Sequence, residues 1–249
     1  MQSNMLWFNL KEIYKISKPN LWWIFLWLYV VGIIIAVVSI WRSSGSDYIQ
    51  IINLSSILFL IYFTLPANLL FNAIYYLYDD IDQWRSDDII MPPKFGLLAW
   101  IGIMNLPFIL FFILPNPESY LCFILWIICV IVYQIPKFNT KETIFLDSIT
   151  LTLIYYLPVL LGYFVVDLSW ISWFAILGWF ARAISLVALI TSSYDRPMYK
   201  LFGKQGNLIY TAFFAVLGWL LLYVNLWYIS IIWSILLVWC SIWYYFKPN

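Results

Sequence analysis

The chain has no histidine among its 249 residues, and only 10% of them are charged. Without imidazole, His-based acid–base catalysis and His-ligated metals are excluded. A soluble domain carries roughly 25% charged and 45–50% apolar residues. So little charge cannot clothe a water-soluble globule of this size, which excludes a soluble α/β enzyme, a disordered tail and a nucleic-acid binder. Cysteine is scarce too: Cys122, Cys129 and Cys240 sit inside apolar runs, an odd number with neither metal-ligand spacing nor a disulfide framework. Internal repeats, low-complexity tracts and long linkers are lacking, so a single helical domain over residues 1–249 is expected. The polar start with Lys11, Lys15 and Lys18 runs into a full-length apolar span without a small-residue cleavage pattern, and no cleavable signal peptide is expected.

Apolar and aromatic residues are abundant, at 65% and 22% of the chain. A spanning helix needs about 20 mostly apolar residues. That ruler predicts an all-α, polytopic membrane bundle with eight spans: Leu21–Ile40, Ile51–Tyr78, Leu97–Leu114, Tyr120–Gln134, Ile144–Val166, Trp170–Thr191, Leu208–Val224 and Trp227–Phe246. The second and fifth are long enough to tilt. The fourth is short, and a turn at Pro115–Pro117 is the alternative that joins it to its neighbour.

Lysine and arginine orient the bundle. With the N-terminus in the cytoplasm, alternation puts 11 basic residues inside, only Arg42 outside, and Arg182 within a span. That partition predicts both termini in the cytoplasm. Nine of the 12 acids fall on the same side, so polarity is concentrated on one face. A charge inside a span is costly and functional by default, which marks Arg182 for a place inside the bundle.

The most informative stretch ends the second span and contains Asp79, Asp80, Asp82, Asp87 and Asp88. At 100° per residue Asn72, Tyr76, Asp79, Asp80, Gln83 and Asp87 share one stripe if the helix continues. Five neighbouring carboxylates repel one another and need a positive partner. A solvated acidic loop is the plain alternative. Hard oxygen donors without imidazole suit Mg²⁺, which binds through one or two carboxylates plus substrate phosphates. Two basic connections lie on the same side, one with Lys137 and Lys141, the other with Arg196, Lys200 and Lys204. Mg²⁺ with such cations stabilises the charge that develops when a diphosphate leaves an allylic carbon.

This pattern resembles the UbiA-type superfamily of intramembrane prenyltransferases, whose signature after the second span is Asn-Asp-x-x-Asp-x-x-x-Asp. Asp80 and Asp87 match it, Asp79 stands for the Asn, and Gln83 replaces the middle Asp. The middle of the chain is similar to the branch that elongates carotenoids such as lycopene: Tyr133, Pro136, Lys141 and Asp147 match without gaps, and Asn139 replaces an Arg. Pro158, Gly162 and Tyr163 resemble a Pro-x-x-x-Gly-Tyr ending, and Ser17-Lys18-Pro19 a Ser-Arg-Pro before the first span. Of the second acidic cluster Asp195 is present, while Tyr199 stands where an acid belongs.

The resemblance implies helices around a lipid-facing cavity with a polar cytoplasmic cap. It implies metal binding by Asp79, Asp80, Asp87 and Asp195, diphosphate contacts from Lys137, Lys141, Arg196 and Lys200, and catalysis through Asp80, Asp87 and Lys141. Asn72, Tyr76, Tyr133 and Asp147 would contact substrate. The expected partners are an allylic prenyl diphosphate, a lipophilic acceptor and membrane lipid, with Mg²⁺ as cofactor. Gln83 and Tyr199 keep a second reading open: a catalytically degraded relative that binds lipid or serves a partner membrane subunit.

Overall fold

Lipid offers no hydrogen bonds to a backbone, so a chain this apolar satisfies its own N–H and C=O groups within helices or closed barrels. In the computed structural model of this protein all regular structure among the described residues is helical; these are residues 10–44, 54–78, 94–110, 116–138, 143–166, 173–190, 203 and 205–221. The helices are α1 (Leu10–Ile16), α2 (Trp22–Ser44), α3 (Leu54–Tyr62), α4 (Leu65–Tyr78), α5 (Lys94–Leu110), α6 (Pro117–Gln134), α7 (Ile144–Val166), α8 (Trp173–Ile190) and α9 (Gln205–Leu221). Four segments among the described residues are long and apolar enough to cross a membrane: Trp22–Ile40, Leu54–Ile74, Pro117–Gln134 and Leu146–Val166. Lys94–Leu110, Ile176–Ser185 and Gln205–Leu221 are shorter apolar helices. The expected eighth span, Trp227–Phe246, lies outside the described residues.

Several helix ends shift by a few residues from the reading of the sequence, and two boundaries have a clear physical cause. Helix α6 starts at Pro117, where extended Asn116 caps it: its side chain accepts from the Ser119 N–H at 2.8 Å, and the helix is long enough to span by itself. The second expected span is two helices, broken at Phe63–Thr64. Pro66 has no N–H to offer the preceding turn, and polar side chains take over the carbonyls there. Thr64 Oγ1 donates to Ile61 O at 2.6 Å, and Asn68 Nδ2 donates to Phe63 O and Thr64 O at 3.1 and 2.8 Å.

The chain forms two compact units. One contains α1–α6 and the part of α7 from Leu157 onward; the other contains the earlier part of α7 with α8 and α9. In the first unit α2 runs antiparallel to α3 and α4, with Phe25 beside Phe71 and Tyr29 beside Phe63. Helix α5 is antiparallel to them as well, through Phe59–Phe108 and Tyr62–Asn105. Helix α6 is parallel to them: Phe59 meets Phe123, Phe63 meets Trp126 and Phe71 meets Tyr133. Helix α7 reverses again, since Asn116 at the start of α6 donates to Phe164 O near the end of α7 at 2.6 Å.

The core of this unit is aromatic. Tyr29, Phe59, Tyr62, Phe63, Phe123 and Trp126 are at most 1% exposed. Phe123 and Trp126 present edge-to-face contacts to Phe59, Tyr62 and Phe63 at 5.0–5.9 Å. Among helices in lipid the hydrophobic effect gives little preference for partner over solvent, and close packing decides; each such ring pair contributes about 0.5–1.5 kcal/mol beyond its area. Glycine brings backbones together elsewhere. A Cβ on Gly32 would land on Val159 O, and one on Gly162 on Tyr29 O, so α2 and α7 cross with main chains in contact.

In the second unit Asn207 Nδ2 reaches Ala188 O at 3.1 Å, and the Ser148 and Tyr210 hydroxyls are 3.3 Å apart. Tyr156 donates to Ile176 O at 2.7 Å. These pairings make α8 antiparallel to both α7 and α9. In each unit, consecutive apolar segments from α2 onward alternate in direction, with α3 and α4 running the same way as one segment.

Candidate functional site

The strict alternation collects particular helix ends. In the first unit the start of α2, the end of α4, the start of α5 and the end of α6 lie together. Phe71 stacks on Tyr133 across α4 and α6 with ring centroids 6.5 Å apart and planes at 13°. Next to them Asn72, 9% exposed, donates to Asn68 O at 2.8 Å and to Ser17 O at 3.4 Å. Asn72 therefore ties α4 to the turn that leads from α1 into α2.

That turn is itself over-determined. Ser17 Oγ donates to Tyr14 O at 2.7 Å, and Trp22 Nε1 donates to both Ser17 O and Ser17 Oγ at 3.2 and 3.1 Å. Lys18 is held at φ 49, in the left-handed region. A non-glycine residue adopts that conformation only when its surroundings enforce it. The exposed Lys18 thus has its backbone fixed at the polar end of the unit. Past α6, Lys137 is exposed in a 3-10 turn, Pro136–Phe138. Three of the residues expected from the sequence, Asn72, Tyr133 and Lys137, come to one end of this unit. Tyr76 follows Asn72 by one turn on α4.

The second unit buries a second group of polar side chains. Asp147 lies in the first turn of α7 and is 6% exposed. Thr150, Thr152, Ser185, Asn207 and Thr211 are also buried. Thr152 Oγ1 donates to Ser148 O, and Thr211 Oγ1 to Asn207 O, at 2.6 and 2.8 Å. Arg182 is 2% exposed, inside the packing as its charge requires. Its stem lies against α9 where Gly218 leaves room: a Cβ there would meet Arg182 Cγ at 2.7 Å and Gly178 O at 2.8 Å.

Asp79, Asp80, Asp87, Lys141, Asp195, Arg196 and Lys200 lie outside the described residues. Among the described residues there is no group of three or more His, Cys, Asp or Glu side chains able to hold a metal ion. Sequence reasoning missed Asn68, Asn105 and Tyr62. Their signal is two amides in apolar spans. Comparison with models of protein families, with curated proteins and with solved structures finds no match to this chain.

Proposed function

We propose that this protein is an eight-span integral membrane prenyltransferase of the UbiA type, with both termini and the active site on the cytoplasmic side. The observation that carries the reading is the parallel pairing of α4 and α6 through Phe71 and Tyr133. Helix α4 ends at Tyr78, immediately before Asp79-Asp80, and α6 ends just before Lys137. The acidic stretch that follows Tyr78 in the sequence is therefore expected at the same end of the unit as Lys137, which supports the charge pattern. The alternating helix directions support the alternation on which the N-in, C-in assignment rests.

The donor set fits Mg²⁺: Asp79, Asp80 and Asp87 offer hard carboxylate oxygens in a chain without imidazole. Asp79, Asp80, Asp87 and Asp195 would hold the ion. When bound, Mg²⁺ supplies charge neutralisation at the departing diphosphate. Lys137, Lys141, Arg196 and Lys200 bind and orient the diphosphate and stabilise its charge as the allylic C–O bond breaks, the electron pair leaving with oxygen. By the resemblance, Asp80, Asp87 and Lys141 would form the catalytic group, and Asn72, Tyr76, Tyr133 and Asp147 would contact substrate. The acceptor, with a polyene such as lycopene as the first to test, forms the new C–C bond and releases a proton. Apolar helices keep water from the allylic cation, and aromatic faces stabilise it.

Two other readings are weighed against this one. A transporter is expected to use broken helices whose freed backbone groups bind an ion; here Thr64, Asn68 and Asn105 take the carbonyls at the break in span two. A non-catalytic relative, lipid-binding or paired with a membrane subunit, is favoured by Gln83 and Tyr199 in place of acids. Purified protein with Mg²⁺, an allylic diphosphate and a hydrophobic acceptor decides between them. Asp80→Ala and Asp87→Ala are expected to lower turnover by orders of magnitude while the fold is retained. Undiminished activity in both sinks the metal assignment. Failure of the wild type to bind diphosphates of any chain length supports the non-catalytic relative.

A further inference from the structure

The break between α3 and α4 is joined to α5 by a second amide. Asn105, 3% exposed, accepts from the Tyr62 hydroxyl at 3.0 Å and donates to Ile101 O at 2.9 Å and Pro66 O at 3.4 Å. With Asn68, 1% exposed, it closes a polar knot in an otherwise apolar wall. Two amides in the interior of apolar spans are a cost that an unbroken Leu-lined helix would avoid.

We propose that Asn105, Asn68 and Tyr62 are positioning residues, which fix the direction of α4 at its break and thereby set where its far end at Tyr78, the residue before Asp79, lies. The inference rests on the reading of Asp79 and Asp80 as metal ligands. The lever is long. From Thr64 to Tyr78 is fourteen residues, about 21 Å at 1.5 Å per residue. A swing of about 10° at the break moves the far end by roughly 4 Å, whereas Mg²⁺ demands near-ideal octahedral geometry with ligands at about 2.1 Å. Asn72 and Phe71 clamp the outer half of α4 sideways, against Ser17 and Tyr133. The knot supplies the second fixed point that a direction needs.

The test is a distance. The full chain, with Cys122, Cys129 and Cys240 changed to alanine, is spin-labelled at Tyr78→Cys and Lys137→Cys in nanodiscs. Asn105→Leu and Asn68→Leu are expected to shift the pulsed-resonance distance by about 3 Å or more, or to broaden it comparably. Gly102→Ala on α5, whose added methyl meets only Leu106 Cδ1 at 3.7 Å, leaves it unchanged. Should the leucine variants fail to fold, Tyr62→Phe removes one hydroxyl and still broadens the distribution. A distance distribution identical to wild type in every folded knot variant overturns the proposal. Mn²⁺ alone, titrated by magnetic resonance below the melting temperature, separates the two readings. Several-fold weaker binding in Asn105→Leu supports positioning beyond a structural role. A wild type that binds no Mn²⁺ removes the metal assignment, while the distance still decides whether the knot aims α4. An Asn105→Leu variant that binds Mn²⁺ as tightly as wild type counts against the proposal even if its melting temperature falls.

Discussion

Single residues set the closest approaches in this protein. Gly32 and Gly162 leave no room for a side chain where α2 crosses α7, because each α-carbon faces backbone of the other helix. Backbone yields little, so a branched side chain must push the helices apart. Gly162→Val is expected to cost at least about 1–3 kcal/mol, the usual range for overpacking. It should appear as a lower melting temperature in detergent. Gly102→Ala is the opposite case. Its methyl makes only an ordinary contact, and replacing a helical glycine removes a penalty of up to about 1 kcal/mol. A Gly162→Val protein as stable as wild type would refute the crossing. Arg182 belongs at this scale too: the sequence identified it as a charge within a span, and its 2% exposure puts it inside the packing.

Among the elements, the start of α6 combines two bonds in one side chain. Asn116 caps its own helix by accepting from Ser119 N–H and donates across to Phe164 O. Asn116→Ala loses both, and the cap alone is worth about 1 kcal/mol. Asn116→Ser keeps a capping oxygen and loses the bond to α7. Unfolding measurements are expected to rank wild type, Ser and Ala in that order. Equal loss in Ser and Ala would show that the cap contributes nothing. The α6 start was readable from Asn-Pro before an apolar run. The break in the second span is not legible in composition, despite Pro66 and Asn68, because composition measures apolar length and is blind to which carbonyls need donors.

At the scale of the whole molecule, the proposed topology rests on alternation. The described pairings make successive apolar segments antiparallel within each unit, α3 and α4 counting as one, and under the proposed topology the charge partition predicts a side for each end. With the native cysteines removed, single cysteines at Lys94 and Lys137 are expected to react with an impermeant maleimide only after the cells are permeabilised. One at Arg42 should react in intact cells. Labelling of Lys94 and Lys137 from opposite sides would break the topology, and labelling of both from outside would invert it.

The sequence by itself determined the apolar, membrane-type character, the helical class and the location of the four segments long and apolar enough to span among the described residues, since apolar length is a local, additive property of the chain. Ile144–Val166 was read from it residue for residue. It also marked Asn72, Tyr133, Lys137 and Asp147. Tertiary structure alone decided which of them meet. Phe71 stacks on Tyr133 and Asn72 binds Ser17 because α4, α6 and the α1–α2 turn pack together, over separations of 62 and 55 residues. It alone gave Asn68 and Asn105 their partners. A buried amide is only a cost until the carbonyls it meets are known, and those carbonyls come from other turns and other helices.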